Sequence, residues 1–289
     1  MMRALVSYNT RNWIDDPATT IAFETGDYTE IEAYPLSNLR VRQSSTVARW
    51  ESVGLPGSVA LHVTFAEAKP LAVVALLGCN FRAANHIANM TVNARIAGTW
   101  VEPIAVADNQ DAGVPGLPYN LVATMPIGPD GSRPMVDELL IVAEWDAFGA
   151  EYTEAARLWA GDAIVLPDGV DAGWSMQVID TGRVDQSKAL QAYEDLGVRV
   201  RQIDLPLDGI PTDIAWGFAE GATEAANVPS VNDLQIAAGI TGEVLVVGRT
   251  ISPIWVRRTA IYGRLVAVPR IIHKSGDLWS SAISAIEER

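Results

Sequence analysis

Apolar and polar residues alternate along positions 58–66, Ser-Val-Ala-Leu-His-Val-Thr-Phe-Ala. Val59, Leu61, Val63 and Phe65 fall on one side and Ala60, His62 and Thr64 on the other, the period of two that marks a half-buried β-strand. Residues 91–96 repeat the pattern, with Val92, Ala94 and Ile96 inward and Thr91, Asn93 and Arg95 outward. Residues 71–77 and 138–145 are instead nearly continuous apolar runs, which predict strands covered on both faces. Residues 105–133 break the pattern. Asp108, Asn109, Asp111, Gly113, Pro115, Gly116 and Pro118 crowd together, and Gly128-Pro129-Asp130-Gly131 follows. This predicts a long surface excursion, interrupted by a short strand over 121–125.

The second half reads as strands at 157–166, 174–179, 198–205, 243–248, 254–259 and 261–268. Helical signals are few. Pro211-Thr212-Asp213 starts a short helix over 214–220, and Ser230 caps another over 230–238, with Asp233 in its first turn and Gly239 beyond it. The chain is therefore predicted to be mainly β, with an N-terminal β-sandwich over residues 1–156. A second β-rich domain with one or two short helices covers 157–289, the boundary falling within 152–161. A length of 289 residues accommodates a core in each.

Charge narrows the function classes. Thirty-five acidic against 21 basic residues give a net charge of −14, which argues against a broad nucleic-acid face. Arg40, Arg42 and Arg49, then Arg199 and Arg201, then Arg257 and Arg258 form only short groups on predicted strands, and read as solvated or inter-subunit charges. No apolar run approaches the roughly 20 residues of a membrane helix, and the N-terminus shows no secretory signal, which predicts a chain made in a cytoplasm.

The search for chemistry returns little. The single Cys79 cannot close a disulfide within the chain and, in an apolar strand, reads as a small buried hydrophobe. His62, His86 and His273 are not paired at ligand spacing with Cys, His or Glu, so no zinc site is expected. No nucleophile elbow, phosphate loop or dinucleotide glycine motif occurs. The neighbouring carboxylates Asp15/Asp16, Asp108/Asp111 and Asp137/Glu138 are explained by chance among so many acids. Asp108 and Asp111 with loop carbonyls leave calcium as a minor alternative, without the twelve-residue loop pattern. No catalytic residue, metal or cofactor is expected, and the chain is not read as an enzyme. Among nine tryptophans, Trp145, Trp159 and Trp255 lie in apolar runs and are expected in cores. Trp50, Trp100 and Tyr119 flank polar or Gly/Pro-rich segments and are the candidate ligand-binding rings, for stacking on a sugar or clamping a partner; the alternative is that they cap a core.

Several segments together resemble a known family. Asn38-Leu39-Arg40, Val47-Ala48-Arg49-Trp50-Glu51-Ser52, the strand 59–65 and Ala72-Val73-Val74-Ala75-Leu76-Leu77-Gly78-Cys79-Asn80 resemble the galactose-binding-like (discoidin-like) jelly roll of tailed-bacteriophage structural proteins. Cys79 stands where that pattern often has His, and the Arg-Trp order differs. Arg157-Leu158-Trp159-Ala160-Gly161 is similar to the strand that closes such domains. Gly173-Trp174-Ser175, Val244-Leu245-Val246-Val247 and Ile261-Tyr262-Gly263-Arg264-Leu265 continue the likeness. The resemblance implies a jelly roll in the first part and a virion structural protein of a phage tail tip or baseplate. Such a protein forms a homo-oligomeric ring, docks other tail proteins and can contact a host surface glycan. The alternatives are a carbohydrate-binding host adhesin, which glycan binding would reveal, and a glycan-degrading enzyme, which hydrolysis dependent on one Asp or Glu would reveal.

Overall fold

The computed structural model describes all residues except 1–2, 26, 43–45, 53–57, 81–87, 110–119, 146–151, 167–172, 181, 187–191, 196–198, 219–227 and 289. The chain is mainly β, as its periodicity predicts. The outermost layer is a five-stranded antiparallel sheet in the order β2-β5-β10-β7-β8, formed by β2 (Thr20–Phe23), β5 (Ser58–Pro70), β10 (Met135–Trp145), β7 (Ala88–Ile96) and β8 (Thr99–Asn109). Val59, Leu61, Val63 and Phe65 of β5 point inward, as the alternation requires, onto a core shared with Leu139, Ile141, Val92 and Ala94. Facing them is the three-stranded sheet β12-β6-β9, made of β12 (Arg157–Gly161), β6 (Val73–Leu77) and β9 (Leu121–Thr124). A second three-stranded sheet, β11-β4-β3, joins β11 (Thr153–Ala155), β4 (Ala48–Ser52) and β3 (Tyr28–Glu30).

The next layer is one large antiparallel sheet in the order β13-β1-β18-β19-β21-β17-β14, with β20 paired to β21. Its strands are β1 (Leu5–Tyr8), β13 (Ile164–Val165), β14 (Ser175–Asp180), β17 (Arg199–Pro211), β18 (Glu243–Val247), β19 (Ala260–Leu265), β20 (Ile272–Ser275) and β21 (Leu278–Glu287). The hairpin β15 (Arg183–Gln186) with β16 (Ala192–Asp195) extends the turn between β14 and β17. Helices α1 (Thr212–Trp216) and α2 (Val231–Ala237) cover the far face, burying Ala215, Val231 and Leu234 against Val244, Val246 and Ile261. Ser230 caps α2 by accepting from the Asp233 amide.

Two separate cores were expected, and a third lies between them. Residues of β6 alternate between layers: Val74 and Leu76 enter the sandwich core, while Val73, Ala75 and Leu77 meet Leu5, Leu245, Val247 and Tyr262 of the large sheet. An apolar run without alternation is the signature of a strand buried on both faces, which is what the middle of this stack requires. Two strands lie across the expected division at 156/157. β1, from the first segment, pairs with β18 and β13, while β12, from the second, pairs with β6.

Other expectations are corrected. Residues 254–259, read as strand, are helix α3 (Pro253–Thr259). Proline fits its first turn, and Arg257 and Arg258 in its last turn complement the negative end of the peptide dipoles. Trp255 on α3 is 37% exposed rather than core. The first helix is confined to Thr212–Trp216, because Gly217 at φ 81° ends it. The run 157–166 is two strands, broken where Asp162 accepts from the Ala163 amide at 2.8 Å. Cys79 is buried as expected, and burial, with Glu154 nearby, pushes its thiol well above the usual range.

Candidate functional site

The outward face of the five-stranded sheet carries a row of interacting polar side chains. Register builds it: Glu138 of β10 lies opposite Thr64 of β5 and Arg95 of β7, and Arg95 lies opposite Trp100 of β8. His62, two positions from Thr64, shares this face. The Glu138 carboxylate accepts from Arg95 Nη1 at 2.5 Å and lies 2.9 Å from His62 Nε2. His62 Nδ1 is 3.1 Å from Glu24, which follows β2. Trp100 is 38% exposed, its ring centroid 6.2 Å from that of His62. Hydrogen bonds from His62 and Arg95 hold the Glu138 carboxyl below its ordinary value.

Chemically, this row offers carboxylates that accept, a guanidinium that donates, and an indole face that stacks. Those are the groups a polyhydroxylated ligand engages. As ion pairs on a sheet face, the same contacts contribute only about 0.2–1 kcal/mol each. Among the described residues, no three His, Cys, Asp or Glu side chains converge as a cation cage. The Asp108 side chain and all of Asp111 lie outside the described residues, as does His86.

The three rings singled out from sequence fare differently. Trp50 is completely buried, with Nε1 donating to the Ser58 carbonyl at 3.1 Å. It offers no ring face to a ligand and belongs to the sandwich core. Trp100 lies in the polar row. Tyr119 lies outside the described residues. Sequence reasoning missed Glu24 and Arg95 as partners of His62 and Glu138, because residues 24, 62, 95 and 138 meet only through strand register.

Because the folded-state pKa of Glu138 lies below its ordinary 4.5, the contacts to His62 and Arg95 stabilise the fold above that pH. Their contribution is lost as the pH falls through the folded value. Side-chain carboxyl NMR is expected to place the Glu138 midpoint below 4.5 and to return it upward in the double variant His62→Ala, Arg95→Ala. A wild-type midpoint at or above the ordinary value would disprove the coupling.

A concavity of about 650 Å³ lies at the seam between sandwich and large sheet. It is bordered by Ile104, Val106, Met125, Ile127, Ile251 and Arg3. Arg3 donates from Nη1 to the Gly128 carbonyl at 3.0 Å and from Nη2 to the Pro129 carbonyl at 2.9 Å. The seam is also tied by charge. Arg157 donates to both Asp15 carboxylate oxygens at 2.7 and 2.8 Å and to Glu243 at 2.9 Å, and the Tyr262 hydroxyl donates to Glu243. Burial works against the Arg157 charge, but the Asp15 hydrogen bond and the charges of Glu243 and Asp15 outweigh it and hold the guanidinium above its ordinary pKa.

No protein-family model matches the sequence, and neither does any curated protein. Among solved structures, the chain is similar to the family 32 CBM from C. perfringens NanJ in complex with galactose, at 15% identity. That match covers 55% of this chain and 98% of that one, with a TM-score of 0.35. The Clostridium perfringens module CpGH89CBM32-4, in complex with GlcNAc-α-1,4-galactose, matches at 11% identity over 53% of this chain and 94% of its own, with a TM-score of 0.35. The sugars are those proteins' ligands.

Proposed function

We propose that this chain is a non-catalytic structural component of a bacteriophage tail tip or baseplate. It is made in the host cytoplasm and carried in the virion, where it assembles as a homo-oligomer and docks other tail proteins. The observation that carries the reading is where the tail-protein-like segments fall. In the Arg-Leu-Trp-Ala-Gly segment, Arg157 and Trp159 seal the sandwich onto the large sheet. Tyr262, in the Ile-Tyr-Gly-Arg-Leu segment, closes the same seam from the other side. Gly263 lets β19 approach β21: a Cβ there would collide with the Ile286 carbonyl oxygen. A body welded in this way transmits position from one docking face to another, as an assembly component must. Mass photometry of the purified chain, with gold labelling of virions, tests the reading. One discrete oligomer and label at a single tail end are expected; a monomer at every concentration, absent from virions, would overturn it.

The polar row on the outer sheet favours a second reading, contact with a host surface glycan. Binding to a glycan array that falls at least tenfold in Trp100→Ala and in Arg95→Ala would support it, a factor of ten corresponding to about 1.4 kcal/mol. Array binding unchanged by both substitutions would remove it from this face.

A further inference from the structure

The net charge of −14 conceals a polarised distribution. Residues 244–276 hold six cations, Arg249, Arg257, Arg258, Arg264, Arg270 and Lys274, and no carboxylate. Residues 12–39 hold six carboxylates, Asp15, Asp16, Glu24, Asp27, Glu30 and Glu32, and no Lys or Arg. The fold sets parts of these stretches at opposite rims of the same sheet. β2 is the last strand at one end of the five-stranded order and β8 the last at the other. Phe23 of β2 stacks on Tyr28 of β3 with ring centroids 5.4 Å apart. Glu24, Asp27, Glu30 and Glu32, all exposed, therefore gather at the β2 rim. At the other rim, α3 packs against β8, with Arg257 and Arg258 in its last turn. Beside them Ile251, Ile254 and Trp255 are 53%, 52% and 37% exposed, an apolar patch edged by cations, the anatomy of a protein interface.

We propose that copies of this chain join head to tail, the α3 rim of one copy seating on the β2 rim of the next. The inference rests on the oligomer proposed above and specifies its contact. Four strand spacings of about 4.8 Å separate the two rims by about 19 Å, more than two Debye lengths of about 8 Å at physiological salt. The rims are screened from each other within one copy and attract only when copies meet. Joining like rims would oppose like charges, so a two-fold contact is disfavoured. A head-to-tail contact instead repeats, closing into a ring when its rotation allows.

Mass photometry of the full chain across about 0.05–1 M NaCl, where screening tightens from about 14 to 3 Å, tests this without substitution; assembly is expected to weaken at least tenfold. Two charge-reversed variants sharpen the test, Arg257→Glu with Arg258→Glu on one rim and Asp27→Lys with Glu32→Lys on the other. Each alone is expected to be monomeric with an unchanged circular-dichroism spectrum. An equimolar mixture is expected to reassemble, since the new glutamates of one variant then meet the new lysines of the other while the two unaltered rims keep their original contact. If one variant fails to fold, the salt series and the other variant decide. An oligomer indifferent to salt and to reversal would overturn this contact while leaving the oligomer standing. A monomer at every salt concentration would overturn both.

Discussion

Replacing Arg157 with Met is expected to destabilise the chain by about 3–5 kcal/mol, the usual cost of removing one member of a buried ionic network. Arg157 is 1% exposed, and it joins Asp15, entering from the N-terminal segment, to Glu243 on β18. Without it, Asp15 and Glu243 lose the cation they share across the seam. Glu243 keeps the Tyr262 hydroxyl and Arg42, the latter at 3.2 Å and half exposed. The bidentate pair that is lost is the one with Asp15. Arg157→Lys is expected to fall between wild type and Met, because one ammonium cannot span both carboxylates with the same fork. Removing all three charges together, as Asp15→Asn, Arg157→Met and Glu243→Gln, should recover part of the loss, since no unpaired charge then remains buried. At about 2–4 °C per kcal/mol for chains of this size, the Met variant is expected to melt roughly 10 °C lower. A loss under about 1 kcal/mol in denaturant unfolding would show that desolvation cancels the attraction.

That network illustrates what the sequence could not convey. Residues 15, 157 and 243 have no spacing rule in common, and they meet only because β1 leaves the first segment to join the large sheet. The strands themselves were largely legible, but residues 138–145, read as covered on both faces, form a strand whose outer side carries Glu138 and the exposed Glu144. In β5 the alternation named the inward residues, and in β6 the lack of alternation marked a strand covered on both faces, though not the third core it helps to form. Trp50 was misjudged from its polar neighbours Arg49 and Glu51. The same period of two that worked for β5 places Ala48 and Trp50 on the inner face of β4, both fully buried. Residues 254–259 were misread because six residues are too few to display a helical period, leaving Pro253 and the paired arginines as the only signals. In the polar row, His62 was correctly placed on an outer face. Its partners come from three other strands or their ends, and pairing order is a tertiary property that alternation cannot encode.

Trp159→Ala is expected to cost about 3–5 kcal/mol, the range for removing a large buried aromatic, and it tests whether the chain unfolds as one body. Its strand neighbours Leu158 and Ala160 point into the sandwich core, whereas Trp159 points the opposite way, into the core of the seam. There it is fully buried, its Nε1 donates to Ser7 Oγ on β1 at 2.9 Å, and its ring meets Tyr262 edge-on at 6.1 Å. The cavity left by alanine would lie between layers, where the small sheet is backed by the five-stranded sheet and the large sheet by α1 and α2, so neither can collapse into it. Trp159→Phe keeps a ring but loses the N–H donor, and is expected to lose distinctly less. Calorimetry separates the outcomes. If the seam couples the halves, Trp159→Ala lowers a single transition by roughly 10 °C, at the 2–4 °C per kcal/mol of large domains. Two transitions, with one left at the wild-type temperature, would mean that sandwich and large sheet fold independently and that the seam is only a contact.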